Sequence, residues 1–170
     1  MGLVDAFDAT WSAAVATFGE GAPRDGLEFE DSSRRLGEMG EVVSAAGPRD
    51  GWTGPGADGY TILNDAQAKV FDHLSSLDRR LADEIARSAA VVVEGRRDLD
   101  AVRASVHAVA SALPSTARGD QLLMHTVRRG FDDIGRVIRR VHDEASAIAR
   151  RIVDLGEEYR ALSASSPAVP

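Results

Sequence analysis

The sequence predicts an all-α fold, an elongated helical hairpin or bundle with two long antiparallel helices. Three observations predict it. In the last third of the chain, apolar residues recur every seven positions, from Val127 through Ile134, Val141, Ile148 and Leu155 to Leu162. That heptad spacing belongs to helices packed along a seam. The residues are 44% hydrophobic but only 5% aromatic, which suits helix-on-helix packing more than a sandwich or barrel. Glycine and proline also stand where the periodic stretches stop, at Gly47-Pro48 and at Pro114.

Four helical segments follow in order. The first runs from about Leu3 to Phe18, with Leu3, Phe7, Trp11 and Val15 or Ala14 at helical spacing. Gly19 to Gly26 breaks it, so residues 1–26 read as a short helix and a loop. The second runs from about Leu27 to Ala46, with Phe29, Leu36, Met39 and Val43 on one face. The third begins near Pro55 and reaches Leu113, where Pro114 ends it. Leu63, Val70, Leu74, Leu77, Leu81 and Ile85 form its first seam, and Ile85, Val92, Leu99, Val106 and Leu113 its second. The four-residue steps Leu77–Leu81–Ile85 read as a stutter between two heptad registers. Val91-Val92-Val93 is the one stretch where a strand is arguable, and the flanking helical period outweighs it. Residues 27–113 thus read as a helical hairpin folded at a Gly/Pro-rich turn.

The fourth segment, Asp120 to Leu162 within residues 114–162, carries a second seam position. It is filled by Met124, Phe131, Ile138, Ala145, Ile152 and Tyr159. An antiparallel pair leaves part of such a stripe wet, and contiguous apolar surface of that kind marks an interface. Phe131, Ile134, Ile138, Val141 and Ile148 are the candidate interface residues, for a partner or a second copy of the chain; the alternative is that this seam is filled internally. Residues 163–170, small and with two prolines, read as a disordered tail. Pro23-Arg24-Asp25-Gly26 recurs as Pro48-Arg49-Asp50-Gly51, which reads as repeated turn chemistry rather than a duplicated module.

Composition excludes several function classes. The net charge of −7 argues against general nucleic-acid binding, which needs a basic surface. Lys69 is the sole lysine against many arginines, a bias that suggests a GC-rich genome. Without cysteine there is no disulfide framework and no thiolate metal site. No apolar run approaches the ~18 residues of a transmembrane helix. The first residues carry Asp5 and Asp8 and no basic region, so no cleavable signal peptide is expected.

Catalytic motifs are missing as well. His73, His107, His125 and His142 form no His-x-x-x-His or Glu-x-x-His pair, and read as solvated helix-face residues. There is no Gly-x-Ser-x-Gly elbow and no phosphate- or dinucleotide-binding glycine loop. No enzyme activity, cofactor or metal is therefore expected. Leu113-Pro114-Ser115-Thr116-Ala117 reads as an interhelical loop rather than a sorting signal. Arg118-Gly119-Asp120 reads as the glycine and N-cap of the fourth helix. The arginine pairs at 79–80, 96–97, 128–129, 139–140 and 150–151 read as solvated flanks of the seams.

The turn itself is Gly51-Trp52-Thr53-Gly54-Pro55-Gly56-Ala57-Asp58-Gly59-Tyr60. Its glycines permit backbone conformations barred to other residues. Trp52 either closes the core or presents an aromatic knob, and Tyr60 has the same two readings. Before it stands Gly19-Glu20-Gly21-Ala22-Pro23. After it come Asn64, then Leu74-Ser75-Ser76-Leu77-Asp78-Arg79-Arg80-Leu81, then Arg97-Asp98-Leu99. In that order, from about Gly19 to Val106, the chain resembles the N-terminal helical region of the mycobacterial EspA/EspE family of type VII (ESX-type) secretion-associated proteins.

The resemblance implies a protein that is cytoplasmic before export and then secreted or held at the cell surface without a cleavable signal peptide. It implies action through protein–protein contacts. The partners would be a small EspC-like or other Trp-x-Gly protein, or further copies, together with the secretion machinery. Trp52, Gly54, Tyr60 and Asn64 are then the secretion or recognition turn. The general type VII signal is Tyr-x-x-x-Asp/Glu, whereas Asn64 stands four residues after Tyr60 here. This chain also has the heptad helix where family members carry a Gly-rich or hydrophobic region and a low-complexity tail. The alternative reading is a cytoplasmic coiled-coil scaffold without catalytic activity. A bundle enzyme has no motif in its favour.

Overall fold

The computed structural model describes residues 2–48 and 51–165. These form four helices and no strand: α1 (Leu3–Ala16), α2 (Leu27–Ala45), α3 (Pro55–Ala112) and α4 (Ala117–Ser165). The Val91–Val93 run lies inside α3, where heptad packing overrides local β-propensity. α4 starts earlier than expected. Thr116, not Asp120, caps it, and its hydroxyl accepts the Gly119 N–H at 3.2 Å. Its helical residues continue through Ser165, past Leu162, and residues 166–170 of the expected tail lie outside the described residues. Arg49 and Asp50 of the repeated turn motif lie outside them too.

The residues pack as two units. The first comprises Met1–Arg24 and Arg87–Ile148. Its core is Phe7, Ala14, Leu99, Val106, Val127 and Ile134, with Trp11, Val15, Phe18, Leu123 and Ile138 packed around it. Here α3 and α4 run antiparallel. Gly95 lies against Val141, Arg140 bonds Asp98 at 2.5 Å, and Val106 lies against Gly130. α1 closes over both. A side chain at Gly130 would meet the Phe7 ring at 2.7 Å and Val106 at 2.8 Å, and one at Gly95 would strike the Phe18 ring. Both glycines thus mark where α1 and the loop after it lie closest to the α3–α4 pair.

Polar anchors fix the same helix. The Trp11 indole N–H donates to the Leu99 carbonyl at 3.0 Å, and Arg103 lies over the indole ring at 4.3 Å. The Asp8 carboxylate accepts from Arg103 Nε at 2.8 Å and lies 2.9 Å from His107 Nε2. His107 therefore departs from the expected solvated role, because α1 covers its face of α3. Arg96 donates to the carbonyls of Phe18, Gly19 and Gly21 at 2.9, 2.7 and 2.6 Å. It holds the chain as it leaves α1, where carbonyls have no helical partner.

The second unit comprises Asp25–Ala86 and Ala149–Pro170. Its most buried contact between α2 and α3 is small and polar. Ser33 Oγ donates to the Ser75 carbonyl at 2.7 Å, and Ser75 Oγ donates back to the Ser33 carbonyl at 2.8 Å. Gly40, one face-repeat further, lies close enough to α3 that a side chain there would meet Asp72 at 2.9 Å. Gly26 precedes α2 with φ +81°, and a side chain on it would meet the Ala82 carbonyl at 2.8 Å, so both backbone and space require glycine. The stripe expected on α2 is only partly covered. Phe29, Leu36 and Val43 are half-buried and Met39 is exposed, because the small residues take the closest approach.

α4 joins this unit through ion pairs and one buried network. Arg80 makes a two-pronged bond to Glu158 at 2.6 and 2.7 Å, which holds the Glu158 carboxyl below its ordinary value. Arg151 lies 2.9 Å from the buried Glu84. The Tyr159 hydroxyl donates to Asp78, and burial together with that carboxylate pushes the phenol upward. Arg80, Arg96, Arg140 and Arg151 are thus bridges between elements, not the freely solvated flanks expected of the arginine pairs.

Two outcomes follow for stability. Gly130→Ala should lower it by about 1 kcal/mol net, since overpacking against a fully buried ring exceeds the gain in helix propensity. Gly156→Ala, where a side chain meets only Arg160 at 3.8 Å, should raise it by up to about 1 kcal/mol. Urea unfolding of the two variants would read opposite signs, and a stabilised Gly130→Ala would refute the packing described. The second outcome concerns pH. The bonds from His107 and then Arg103 hold the Asp8 carboxyl below its ordinary 3.8. A depressed carboxyl stabilises the fold above its unfolded value, and that contribution vanishes as pH falls through the folded value. The unfolding midpoints of the parent and Asp8→Asn should therefore differ at neutral pH and converge in acid below the ordinary carboxyl range.

Candidate functional site

The candidate site is the corner between α2 and α3, and it forms because each helix end must satisfy its own backbone. α2 ends at Ala45, and the Ala46 N–H still reaches the carbonyls of Val42 and Val43, both at 3.1 Å. The last carbonyls of a helix lack a full helical donor, and Val42 and Val43 share a single N–H here. α3 supplies two further donors. The Tyr60 hydroxyl donates to the Ala46 carbonyl at 2.9 Å, and the Asn64 amide nitrogen donates to the Val43 carbonyl. Tyr60 and Asn64 are four residues apart, so one face of α3 carries both donors to the end of α2.

Gly54 begins α3. Its φ of +104° lies in the left-handed region, and its carbonyl accepts the Asp58 N–H at 3.1 Å as the first helical bond. Pro55 follows at the first helical position, where a missing N–H costs nothing. Ala57, one turn in, is buried.

The Trp52 ring sits 5.4 Å from the Tyr60 ring at 50°, a tilted aromatic pair. Trp52 is nonetheless 47% exposed, and Tyr60 is also exposed. Of the two readings of Trp52, the geometry gives the outward-facing one. The pair caps no core; it presents one indole face braced by the tyrosine. Gly56 lies beneath it, with open space over Gly59.

The five candidate interface residues of α4 have a different fate. Ile134 and Ile148 are buried, and Ile138 and Val141 are half-buried among the chain's own helices. α1 shares one core with this stripe: Ile134 belongs to the buried cluster with Phe7 and Ala14, and Ile138 packs against that cluster. Phe131 alone remains exposed, at 37%, with its ring 5.6 Å from Phe7. Sequence reasoning missed the reciprocal Ser33–Ser75 bonds and the Asp78–Tyr159 contact. The first had a signal in the spacing of Ser33, Gly37 and Gly40, a stripe of small residues along α2. The second had none, since Tyr159 reads as an ordinary seam residue.

Among the described residues, no group of three or more His, Asp or Glu side chains is placed to hold a metal ion. No helix there is long and apolar enough to cross a membrane. The corner thus carries an exposed indole, paired with the Tyr60 ring, on a glycine-lined backbone.

The chain resembles the EspA/EspE family over residues 18–101. The match covers just under half of the sequence: the loop before α2, all of α2, the Trp52 corner, and α3 as far as Ala101. α1 and α4 lie outside it. No curated protein and no solved structure matches the chain. The EspA/EspE match suggests a type VII secretion-associated protein.

Asn64→Asp tests the corner directly. A carboxylate there would face the Val43 carbonyl at the negative end of α2, with no proton to donate. The change should cost about 1–2 kcal/mol, read as a lower urea midpoint. It should also speed amide exchange at the end of α2. Unchanged stability would show that the amide bond is not what closes the corner.

Proposed function

We propose that this protein is a substrate or co-dependent accessory of a type VII (ESX-type) secretion system. It acts without catalysis, through protein–protein contacts made at the α2–α3 corner. The observation that carries the reading is the position of Trp52. The residues matching the EspA/EspE family fold around a corner whose tryptophan is half exposed and braced by Tyr60. A solvent-facing indole on a rigid support is the kind of anchor that dominates protein interfaces. Asn64, bonded to α2, is a structural donor. The acidic element of a Tyr-x-x-x-Asp/Glu signal would then come from a partner, a small EspC-like or other Trp-x-Gly protein.

Tyr60→Phe and Trp52→Ala separate the two jobs of the corner. Tyr60→Phe keeps the ring and loses one hydrogen bond, worth about 0.5–1.5 kcal/mol. Trp52→Ala removes a half-exposed ring, so its cost should fall below the ~3–5 kcal/mol of a fully buried aromatic. Gly54→Arg is a poorer probe, because the left-handed backbone at Gly54 strains any side chain. In a strain carrying the secretion system, Trp52→Ala should deplete the protein from culture filtrate while the cytoplasmic pool stays folded. Tyr60→Phe should have the smaller effect. Deleting the secretion ATPase should abolish export of the parent. A parent that never leaves the cell would replace this reading with that of a cytoplasmic coiled-coil scaffold.

A further inference from the structure

We infer that the outer face of α4 around Phe131 is a docking face for an acidic segment of a different protein, one that carries a bulky apolar residue among aspartates or glutamates. This face lies on α4, outside the residues 18–101 that match the EspA/EspE family, and the inference stands apart from the reading of the Trp52 corner.

Two observations locate the face. The first is a hollow. Phe131 stays exposed where Ile134 and Ile148 of the same helix are buried. It lines an open hollow of about 490 Å³ together with Arg129, Asp132, Gly135, Arg136 and Arg139. Gly135 leaves the floor bare; a Cβ there would meet only the Arg139 guanidinium, at 3.3 Å. Arg128, Phe131, Gly135 and Arg139 follow at steps of three and four residues, so they share one side of α4, and Arg129, Asp132 and Arg136 form the stripe beside it. The second observation is the state of these arginines. Of the five arginine pairs in the chain, four give one member to a bridge, through Arg80, Arg96, Arg140 and Arg151. The pair Arg128-Arg129 gives neither. Among the described residues, Arg128, Arg129 and Arg139 have no ion pair, and Arg136 has only Asp133, from its own helix. The first acids of α1, which packs beside Phe131 through Phe7, are engaged elsewhere: Asp5 accepts the Gly2 N–H at 2.7 Å, and Asp8 accepts from Arg103 and lies against His107. Among the residues lining the hollow, Asp132 is the single carboxylate against three guanidiniums.

Charge identifies the occupant. Phe131 offers an apolar contact inside a positive rim, in a chain whose net charge is −7. An acidic segment is drawn to that rim, and its on-rate gains from the opposite charge. Its apolar residue fills the hollow beside Phe131. From Arg128 to Arg139 the face is roughly 16 Å long. A nucleic acid or an anionic bilayer reaches far beyond so short a face and would meet the rest of an acidic chain. A second copy docking symmetrically by the same face would set arginine against arginine.

The test is binding in solution, so failed export and failed docking are different results. The probe is a labelled peptide of about 12 residues, sized to the face. It has a central phenylalanine flanked by glutamates. One twin carries lysine for glutamate, and another carries serine for phenylalanine. Fluorescence anisotropy with the full chain should show the acidic peptide binding at micromolar concentration in about 50 mM salt, and more weakly in about 500 mM as the charges are screened. Each twin should bind at least about tenfold more weakly. Arg129→Glu and Arg139→Glu, at exposed positions, should each weaken the acidic peptide about tenfold with no change in unfolding midpoint. Arg97→Glu, the same charge change on an exposed part of α3 in the same unit, should leave binding within about twofold of the parent. No binding at about 100 micromolar would overturn the inference, as would equal binding of either twin, or binding that ignores both Arg129→Glu and Arg139→Glu. A parent dimer that Arg139→Glu dissociates would give the face to a second copy and overturn it as well. So would tighter binding of a DNA duplex or of phosphatidylglycerol vesicles than of the acidic peptide.

Discussion

The closeness with which short helices can approach long ones decides where everything else in this protein lies. α3 and α4 carry bulky aliphatic seams, and two such helices pack at a separation set by their side chains. α1 and α2 reach them only where side chains are missing or small. Gly130 admits the Phe7 ring, Gly95 admits Phe18, and Ser33 and Gly40 let α2 approach α3. Once those approaches are made, polar groups come within bonding distance. Trp11 reaches the Leu99 carbonyl, Arg96 reaches three carbonyls after α1, and the two serines exchange hydrogen bonds. The apolar contacts supply the driving force. The small residues choose which contacts are possible.

A second regularity is that donors from long helices close the ends of short ones. Arg96 does so for α1, and Tyr60 with Asn64 does so for α2. A short helix has a large share of its carbonyls at its C-terminus, and those need partners. A side chain on a neighbouring rigid helix satisfies them at little additional entropic cost, because its backbone is already ordered. This explains why polar residues with specific reach stand at these positions, in a chain whose other polar residues largely coat its outer faces.

Most of the helical layout was legible in the sequence, because period and punctuation are local properties. The heptads of α4, the stop at Pro114 and the start at Pro55 can each be read within a few residues. The sequence left open whether Ile134 and Ile138 face a partner or are filled internally, because the answer depends on α1, which is more than a hundred residues away in the chain. Phe7 gives no sign of which seam it will cover. His107 was missed for the same reason, since Asp8 becomes its neighbour only after folding. Residues at the corner were legible as a group but not in their roles. Trp52, Gly54, Tyr60 and Asn64 stand out as a motif, while the carbonyls that Tyr60 and Asn64 satisfy belong to the backbone of α2 and leave no mark in its side chains.

Those roles bear on how the corner can serve recognition. Asn64 reads as a defective acidic signal when only its spacing from Tyr60 is considered. In the structure it is an amide bonded to Val43, and an acid in its place would oppose the same carbonyl. Tyr60 likewise has its hydroxyl committed to Ala46 and its ring tilted against Trp52. Of the motif residues, only Trp52 has a large apolar face with no partner of its own. The other three hold that face in place: Gly54 by turning the chain, Tyr60 by bracing the ring, and Asn64 by fixing α2 against α3. An anchor held this way loses little freedom on binding, and reduced ordering cost is what raises affinity for a given contact area. On the proposed reading, recognition at this corner would be a property of the closed helix pair rather than of a linear signal, and a change that opens the pair would remove the anchor even where Trp52 itself is intact.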